Sequence, residues 1–176
     1  RIPTRLHQAR TETAAVAHSS ANLQAALKSA KKTVEAQYSV PFLAHVTMEP
    51  MNCTAEVRKD GCDLWVSTQA QEWAQSTAAK ITGLPKEKVT VHTTYLGGGF
   101  GRRVEMDFIS QAVLLAKTVG QPVKLIWSRE EDLQHDFYRP AMMGQLTAGL
   151  DDQGMPVALN IRLAGPSITK RLMPAL

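Results

Sequence analysis

Four glycines in five positions, Gly97, Gly98, Gly99 and Gly101, are interrupted only by Phe100 and followed at once by Arg102-Arg103. Backbone without Cβ atoms takes up positive φ and lets a ligand come close, and its N–H groups can then aim at an anion or a cofactor oxygen. The same loop also serves as a tight strand-to-helix turn that holds nothing. Two phosphate motifs are excluded by spacing. A P-loop needs Gly-Lys followed by Ser or Thr, where this chain has Gly101-Arg102-Arg103. A dinucleotide fingerprint needs glycine at its first, third and sixth positions, and the sixth position counted from Gly97 is Arg102.

Other residues with chemical capacity are more scattered. His45, His92 and His135 stand at no metal-ligand spacing, and His92 on a strand reads as structural. If Cys53–Arg58 and Cys62–Thr68 are strands joined by the Asp60-Gly61 turn, the two cysteines lie on the order of 15–20 Å apart, beyond the ~7 Å limit between bridged Cα atoms. They are expected to be ordinary half-buried thiols. The balance of 20 basic and 16 acidic residues gives a net charge of +4, which suits anionic ligands but forms no basic tract of the kind that binds nucleic acid.

These residues need a scaffold, and the pattern supplies one. With 176 residues, 44% of them hydrophobic, the chain is long enough to bury a core and is expected to form one compact domain. No apolar run is long enough to span a bilayer. Residues 1–18 read as an irregular lead-in, and Ser20–Lys32 as a helix capped by Ser19 or Ser20. Thr33–Val40 alternates as a strand, and a loop over Phe42–Asn52 leads into the hairpin that carries the cysteines. Gln71–Gly83 reads as a helix, Lys88–Tyr95 as a strand and Glu105–Val119 as an amphipathic helix, so the glycines sit between a strand and a helix. Pro122–Ser128 then reads as a strand and Arg129–His135 as a helical turn, before a second hairpin, Met142–Leu150 with Pro156–Leu163. Strands and helices in this mixed order predict an α+β fold, a two-layer domain on a mixed sheet, over a regularly alternating one.

The glycine loop, read with its surroundings, resembles a known family. Gly97-Gly98-Gly99-Phe100-Gly101 is similar to the loop at the molybdenum cofactor of the xanthine dehydrogenase and aldehyde oxidase family, the molybdenum hydroxylases. His45-Val46-Thr47-Met48-Glu49-Pro50, Trp65-Val66-Ser67-Thr68-Gln69, Pro122–Asp132 and Tyr138-Arg139-Pro140 resemble further family segments in the same order, over about residues 33–164. The arginine pair and Met48–Cys53 look most like the large (beta) subunits of isoquinoline 1-oxidoreductases and membrane-associated aldehyde dehydrogenases of bacteria.

The resemblance implies roles residue by residue. Gln69 would hydrogen-bond an oxygen ligand of the metal, and Gly98, Gly99, Phe100 and Gly101 would pack on and donate to the cofactor. Arg102, with Arg103, would pair with a pterin phosphate or stay solvated, and Arg139 would lie on the substrate side. An acidic residue used by purine-oxidising members aligns with Val104, which argues against a purine. The implied cofactor is molybdopterin as its cytosine dinucleotide, with molybdenum held by pterin sulfurs. The implied partners are a small iron–sulfur subunit, a cytochrome c subunit and a small-molecule substrate, an aldehyde or N-heterocycle hydroxylated with oxygen from water. No nucleic-acid partner is expected.

The general-base glutamate that the family carries in a Gly-Val-Gly-Glu segment does not occur here, and two cysteines cannot hold an iron–sulfur cluster. The start Arg1-Ile2-Pro3 has no initiator Met or signal-peptide core, and Lys170–Leu176 gives no capped end. The chain therefore reads as an excised fragment, residues 19–176 being part of a molybdopterin-binding domain, inactive and a poor cofactor binder alone. Kinship with the isoquinoline-type relatives would imply a periplasmic or membrane-associated site, and otherwise a cytoplasmic one. The rival readings are a stand-alone nucleotide- or phosphate-binding module and a nucleic-acid-binding domain.

Overall fold

The computed structural model describes residues 2–9, 11–20 and 22–172; Arg1, Arg10, Ala21 and residues 173–176, the end of the stretch read above as uncapped, lie outside the described residues. In chain order the chain forms helices α1 (Ile2–Ala9) and α2 (Leu23–Ser29), strands β1 (Lys32–Val40), β2 (Asn52–Val57) and β3 (Cys62–Val66), and helix α3 (Gln71–Thr82). Strand β4 (Val89–Thr93), helix α4 (Asp107–Val119), strand β5 (Val123–Ile126) and helix α5 (Arg129–Gln134) follow, and β6 (Met142–Leu150), β7 (Pro156–Ala164) and α6 (Ile168–Leu172) close the order. The mixed α+β class read from the pattern is the one observed.

Two stretches differ from the pattern reading. Ile2–Ala9 is helical inside the expected irregular lead-in, with Ile2, Leu6 and Ala9 at i, i+4 and i+7. The next helix begins only at Leu23, behind Asn22 in the left-handed region and without a side-chain cap, so neither Ser19 nor Ser20 caps it. Contacts also divide the chain into two compact units, Ala44–Tyr138 and the remainder, Arg1–Leu43 with Arg139–Leu176. Periodicity identifies elements, but it does not say which of them share a core.

The unit Ala44–Tyr138 is built on a four-stranded sheet ordered β4-β3-β2-β5. Strands β3 and β4 run parallel, and β2 is antiparallel to both β3 and β5. The helices α3 and α4 pack on this unit's core. Cys53, Ala55, Leu64 and Val66 from the sheet meet Ala74 and Ala78 from α3 and Phe108, Ile109, Ala112, Val113 and Ala116 from α4, all fully buried. Burial of each large apolar side chain contributes about 1.5–3 kcal/mol. Cys53 and Cys62 are free thiols, as expected, and more deeply buried than expected. Burial pushes Cys53 up to about 12 and Cys62 up to about 11, so neither is a nucleophile at neutral pH.

The other unit holds an antiparallel sheet ordered β1-β6-β7. Helix α2 packs closely on one face, where a Cβ added to Gly149 would meet Ala30 at 2.8 Å. Met143, Ala158 and Ala164 are buried. Val34, Tyr38 and Val40 of β1 and Leu159, Ile161 and Leu163 of β7 share the opposite face and stay exposed.

Candidate functional site

Parallel pairing decides what meets what in the unit Ala44–Tyr138. Strands β3 and β4 lie side by side and point the same way, so the segments leaving their C-terminal ends, Ser67-Thr68-Gln69 and Tyr95–Arg103, emerge together. Loops beyond the carboxyl ends of parallel strands are the usual place for a ligand in such sheets. Main-chain bonds hold the two segments in register: the Gln69 N–H and the Thr68 hydroxyl both donate to the Arg103 carbonyl, each at 3.0 Å. A third segment, Val46–Glu49, runs along the glycines, with Glu49 N–H donating to Gly97 O at 3.1 Å and Gly97 N–H to Glu49 Oε2 at 2.9 Å.

Glycine is required here by neighbours in the chain itself. A Cβ on Gly97 would sit 2.3 Å from the Cβ of Glu49, and one on Gly99 would sit 2.6 Å from Gln69 Oε1. The loop tip is strained. Phe100 has φ +53 and the β-branched Val46 opposite has φ +43, both in the left-handed region that L side chains avoid at a cost of about 1–2 kcal/mol per residue. Phe100 is also 66% exposed. An exposed ring on a strained backbone gains nothing from the chain that carries it.

Gln69 is fixed by its oxygen. Oε1 accepts from the Gly101 N–H at 3.0 Å, which orients the carboxamide and leaves its Nε2 hydrogens available to donate outward. Among the described residues, none accepts from the N–H groups of Gly98, Gly99 or Phe100. Three consecutive main-chain donors beside a neutral amide form a cradle for oxygen atoms or an anion.

The two arginines take a different part from the one the sequence suggests. Arg103 is fully buried and binds inward, through Nε to Gly98 O at 2.7 Å, Nη1 to Ser67 Oγ at 2.8 Å, and Nη2 to Glu49 O at 2.7 Å and Glu49 Oε2 at 2.9 Å. Burial pushes its guanidinium below the usual arginine range, opposed by the charges of Glu49 and Asp132. Arg102 is 1% exposed, forms a two-bond fork with Asp107 at 3.0 and 2.7 Å, and lies between the Trp127 and Phe137 rings, 5.5 and 5.3 Å from their centroids. The expected pairing of Arg102 with a phosphate is therefore corrected, and so is the solvated alternative. The arginine pair builds the loop from beneath: Arg103 is bonded through all three nitrogens within this unit, and Arg102 through both terminal nitrogens to Asp107.

Helix α4 also starts later than the pattern suggests. Arg102–Val104 forms a 3₁₀ turn, Glu105 is extended, and the helix begins at Asp107, which supplies the first-turn negative charge itself. The cradle is thus a loop tip and not a helix terminus. Arg139 belongs to the other unit, where its main chain exchanges two bonds with Leu43 and its side chain is exposed. Among the described residues, no group of three His, Cys, Asp or Glu side chains is arranged to hold a metal.

Glu49 is a residue of the site whose role the sequence does not reveal. Burial alone would raise its pKa, but hydrogen bonds from Asn52, Gly97 and Ser67 and the charge of Arg103 outweigh that and hold the carboxyl below the usual range. Its place in Met48-Glu49-Pro50 was the only signal. The carboxylates of Asp107 and Asp136 carried none.

The family described as the molybdopterin cofactor-binding domain matches residues 6–166. The chain belongs to that family. The chain is 36% identical over 129 residues to isoquinoline 1-oxidoreductase subunit beta of Brevundimonas diminuta, covering 72% of this chain and 16% of that protein. It is 33% identical over 141 residues to a membrane-bound aldehyde dehydrogenase of Gluconacetobacter polyoxogenes, covering 79% and 18%. It is 32% identical over 136 residues to the aldehyde oxidoreductase molybdenum-binding subunit of Escherichia coli, covering 77% and 19%. The chain thus spans less than a fifth of the length of these relatives. Among solved structures, the aldehyde oxidoreductase of Desulfovibrio gigas has the same fold with a TM-score of 0.68 at 20% identity, over 81% of this chain and 16% of that one. Quinoline 2-oxidoreductase of Pseudomonas putida gives 0.66 at 23% identity, over 81% and 18%. A stand-alone nucleotide- or phosphate-binding module finds no support, since the family is a molybdopterin one and the arginines meant to hold phosphate are turned inward.

Proposed function

We propose that this domain forms one wall of the molybdopterin site in the large subunit of a molybdenum hydroxylase that acts on an aldehyde or an N-heterocycle. The observation that carries the reading is the loop tip, where the free N–H groups of Gly98, Gly99 and Phe100 stand beside the oriented amide of Gln69. These donors fit the oxygen atoms of such a cofactor, and no charged side chain of the loop competes with them. When bound, the group supplies two-electron oxidation with oxygen drawn from water. The chain's own residues bind and orient: Gly98, Gly99 and Phe100 donate, Phe100 covers one side with its ring, and Gln69 donates from Nε2 with Gly101 holding its oxygen.

By the family resemblance of its segments we extend the proposal to finer assignments. They are the cytosine dinucleotide form of the cofactor, an iron–sulfur small subunit and a cytochrome c subunit as electron partners, Arg139 on the substrate side and a periplasmic or membrane-associated location. Val104, where an acidic residue would mark purine oxidation, supports a non-purine substrate. The domain alone lacks a base for the reaction and is expected to reduce no dye with aldehyde.

The test is to purify the large subunit containing this domain from molybdate-supplied cells and to measure molybdenum, oxidised-pterin fluorescence and aldehyde-dependent dye reduction. Near-stoichiometric metal and pterin, with activity lost in Gln69→Ala, supports the reading. Full activity and loading in Gln69→Ala together with Gly99→Val, or aldehyde-dependent activity in the isolated 176-residue chain, overturns it.

A further inference from the structure

The two strained loops of the site meet beneath the surface on a single carboxylate that belongs to neither. Asp136 lies just beyond α5, and its carboxylate side chain, 3% exposed, faces both. On one side it accepts from the His45 main-chain N–H at 2.5 Å and from His45 Nδ1 at 2.9 Å, where His45 opens the segment that reaches positive φ at Val46. On the other side its Oδ1 lies 3.2 Å from Nε of Arg102, the residue at the foot of the glycine loop. That Nε has no hydrogen bond of its own, and Asp136 is the carboxylate facing it. Arg102 in turn is locked by the Asp107 fork and by the rings of Trp127 and Phe137. His45 and Arg102 are thus joined through one buried anion.

We infer that Asp136 is a positioning residue that couples the segment His45–Glu49 to the glycine loop, so that the two walls of the site hold their strained conformations together. The physical reason is the cost of separating them. A buried carboxylate that gives up either partner keeps its charge in a poorly solvated place, and a buried guanidinium nitrogen that loses its facing anion has no replacement. If the glycine loop shifts, Arg102 Nε loses its facing anion; if the His45 segment shifts, Asp136 loses its hydrogen bonds from His45 and keeps only the Arg102 Nε contact. Residues held at positive φ need this kind of over-determination to persist. The inference uses the reading of the glycine loop as a cofactor wall for its functional consequence only, since the coupling itself is a property of the cofactor-free chain.

The experiment is amide hydrogen exchange on the cofactor-free 176-residue chain and its Asp136→Asn variant. The asparagine keeps the shape but loses the charge, and it turns either an oxygen away from His45 or an amide group towards Arg102. Exchange is expected to rise about tenfold or more at His45 and also at Gly101 and Arg102, as losing a charge-assisted hydrogen bond would produce, with α4 unchanged. A rise confined to residues 44–49, with the amides of Gly101 and Arg102 unmoved, overturns the coupling.

If Asp136→Asn does not fold, His45→Gln carries the same test, because its own contacts with Asp136 lie at the other loop. Faster exchange at Gly101 and Arg102 supports the inference and an unchanged glycine loop contradicts it. A double-mutant cycle separates coupling from plain structural loss. The stabilities of His45→Gln and Arg102→Lys should combine non-additively with Asp136 present and additively in Asp136→Asn. Additivity in both backgrounds contradicts the proposal. Absence of molybdopterin binding by the large subunit would leave every one of these outcomes intact, so the two readings fail separately.

Discussion

The two units spend the same alternating pattern in opposite ways. In Ala44–Tyr138 Cys53 and Ala55 of β2 and Cys62, Leu64 and Val66 of β3 share the core with α3 and α4 and are buried. In the other unit the apolar positions of β1 and β7 lie on the face away from α2, and Val34, Tyr38, Val40, Leu159, Ile161 and Leu163 are 41–68% exposed. Alternation states which side chains share a face, and only packing states whether anything covers it. The covered unit carries the candidate site. A loop strained at Val46 and Phe100 needs a rigid base, and the buried core with its ion pairs provides one.

Mutations in the two units should have unequal effects. All three tryptophans lie in Ala44–Tyr138, so their fluorescence follows the unfolding of that unit. Phe108→Ala, at the centre of its core, should destabilise this unit by about 3–5 kcal/mol in urea titrations followed by tryptophan emission. A loss close to zero would mean that the core does not hold the unit together. Arg103→Met removes a buried cation and strands the carbonyls of Gly98 and Glu49, at an expected cost of about 3 kcal/mol by the same measurement. Retained stability would place Arg103 on the surface, against the geometry described.

A smaller effect concerns pH. Glu49 has a folded pKa below its unfolded value, so the stability it contributes is complete above the unfolded carboxylate pKa of about 4.3 and is lost as pH falls through the lower folded value. Unfolding midpoints measured from neutral pH downward should fall in this acid window, and Glu49→Gln should flatten that part of the profile. An unaltered acid limb in Glu49→Gln would remove Glu49 from the network. The smallest effect is expected at Ile161→Thr on the exposed face of β7, within about 0.5 kcal/mol when unfolding is followed by circular dichroism. A cost like that of Phe108→Ala would show that this face is covered after all.

Much of the fold was legible because it follows from period and punctuation. Helix α3 ends at Gly83 as its spacing predicts, and both hairpins turn where Asp60-Gly61 and Asp151–Gly154 put them. The glycine loop was legible as a close-approach loop, and Gln69 as its neighbour only through family resemblance. The inward turn of Arg102 and Arg103 was not legible, since a basic pair beside glycines looks the same whether it faces a phosphate or a buried carboxylate. The carboxylate that holds Arg103, Glu49, lies 54 residues away, and Asp107, five residues beyond Arg102, reads in the sequence only as the acidic start of a helix. Long-range ion pairs of this kind leave no periodic trace.

The tip Gly98–Phe100 and Gln69 are the proposed contacts to the cofactor. The most direct measurement is amide hydrogen exchange over residues 97–101 in the large subunit, with and without molybdopterin loaded. Strong protection of the Gly98, Gly99 and Phe100 amides is expected on loading, with little change at Gly97 and Gly101, whose N–H groups are already bonded to Glu49 and Gln69. Equal exchange at all five positions in the loaded and unloaded forms would contradict it.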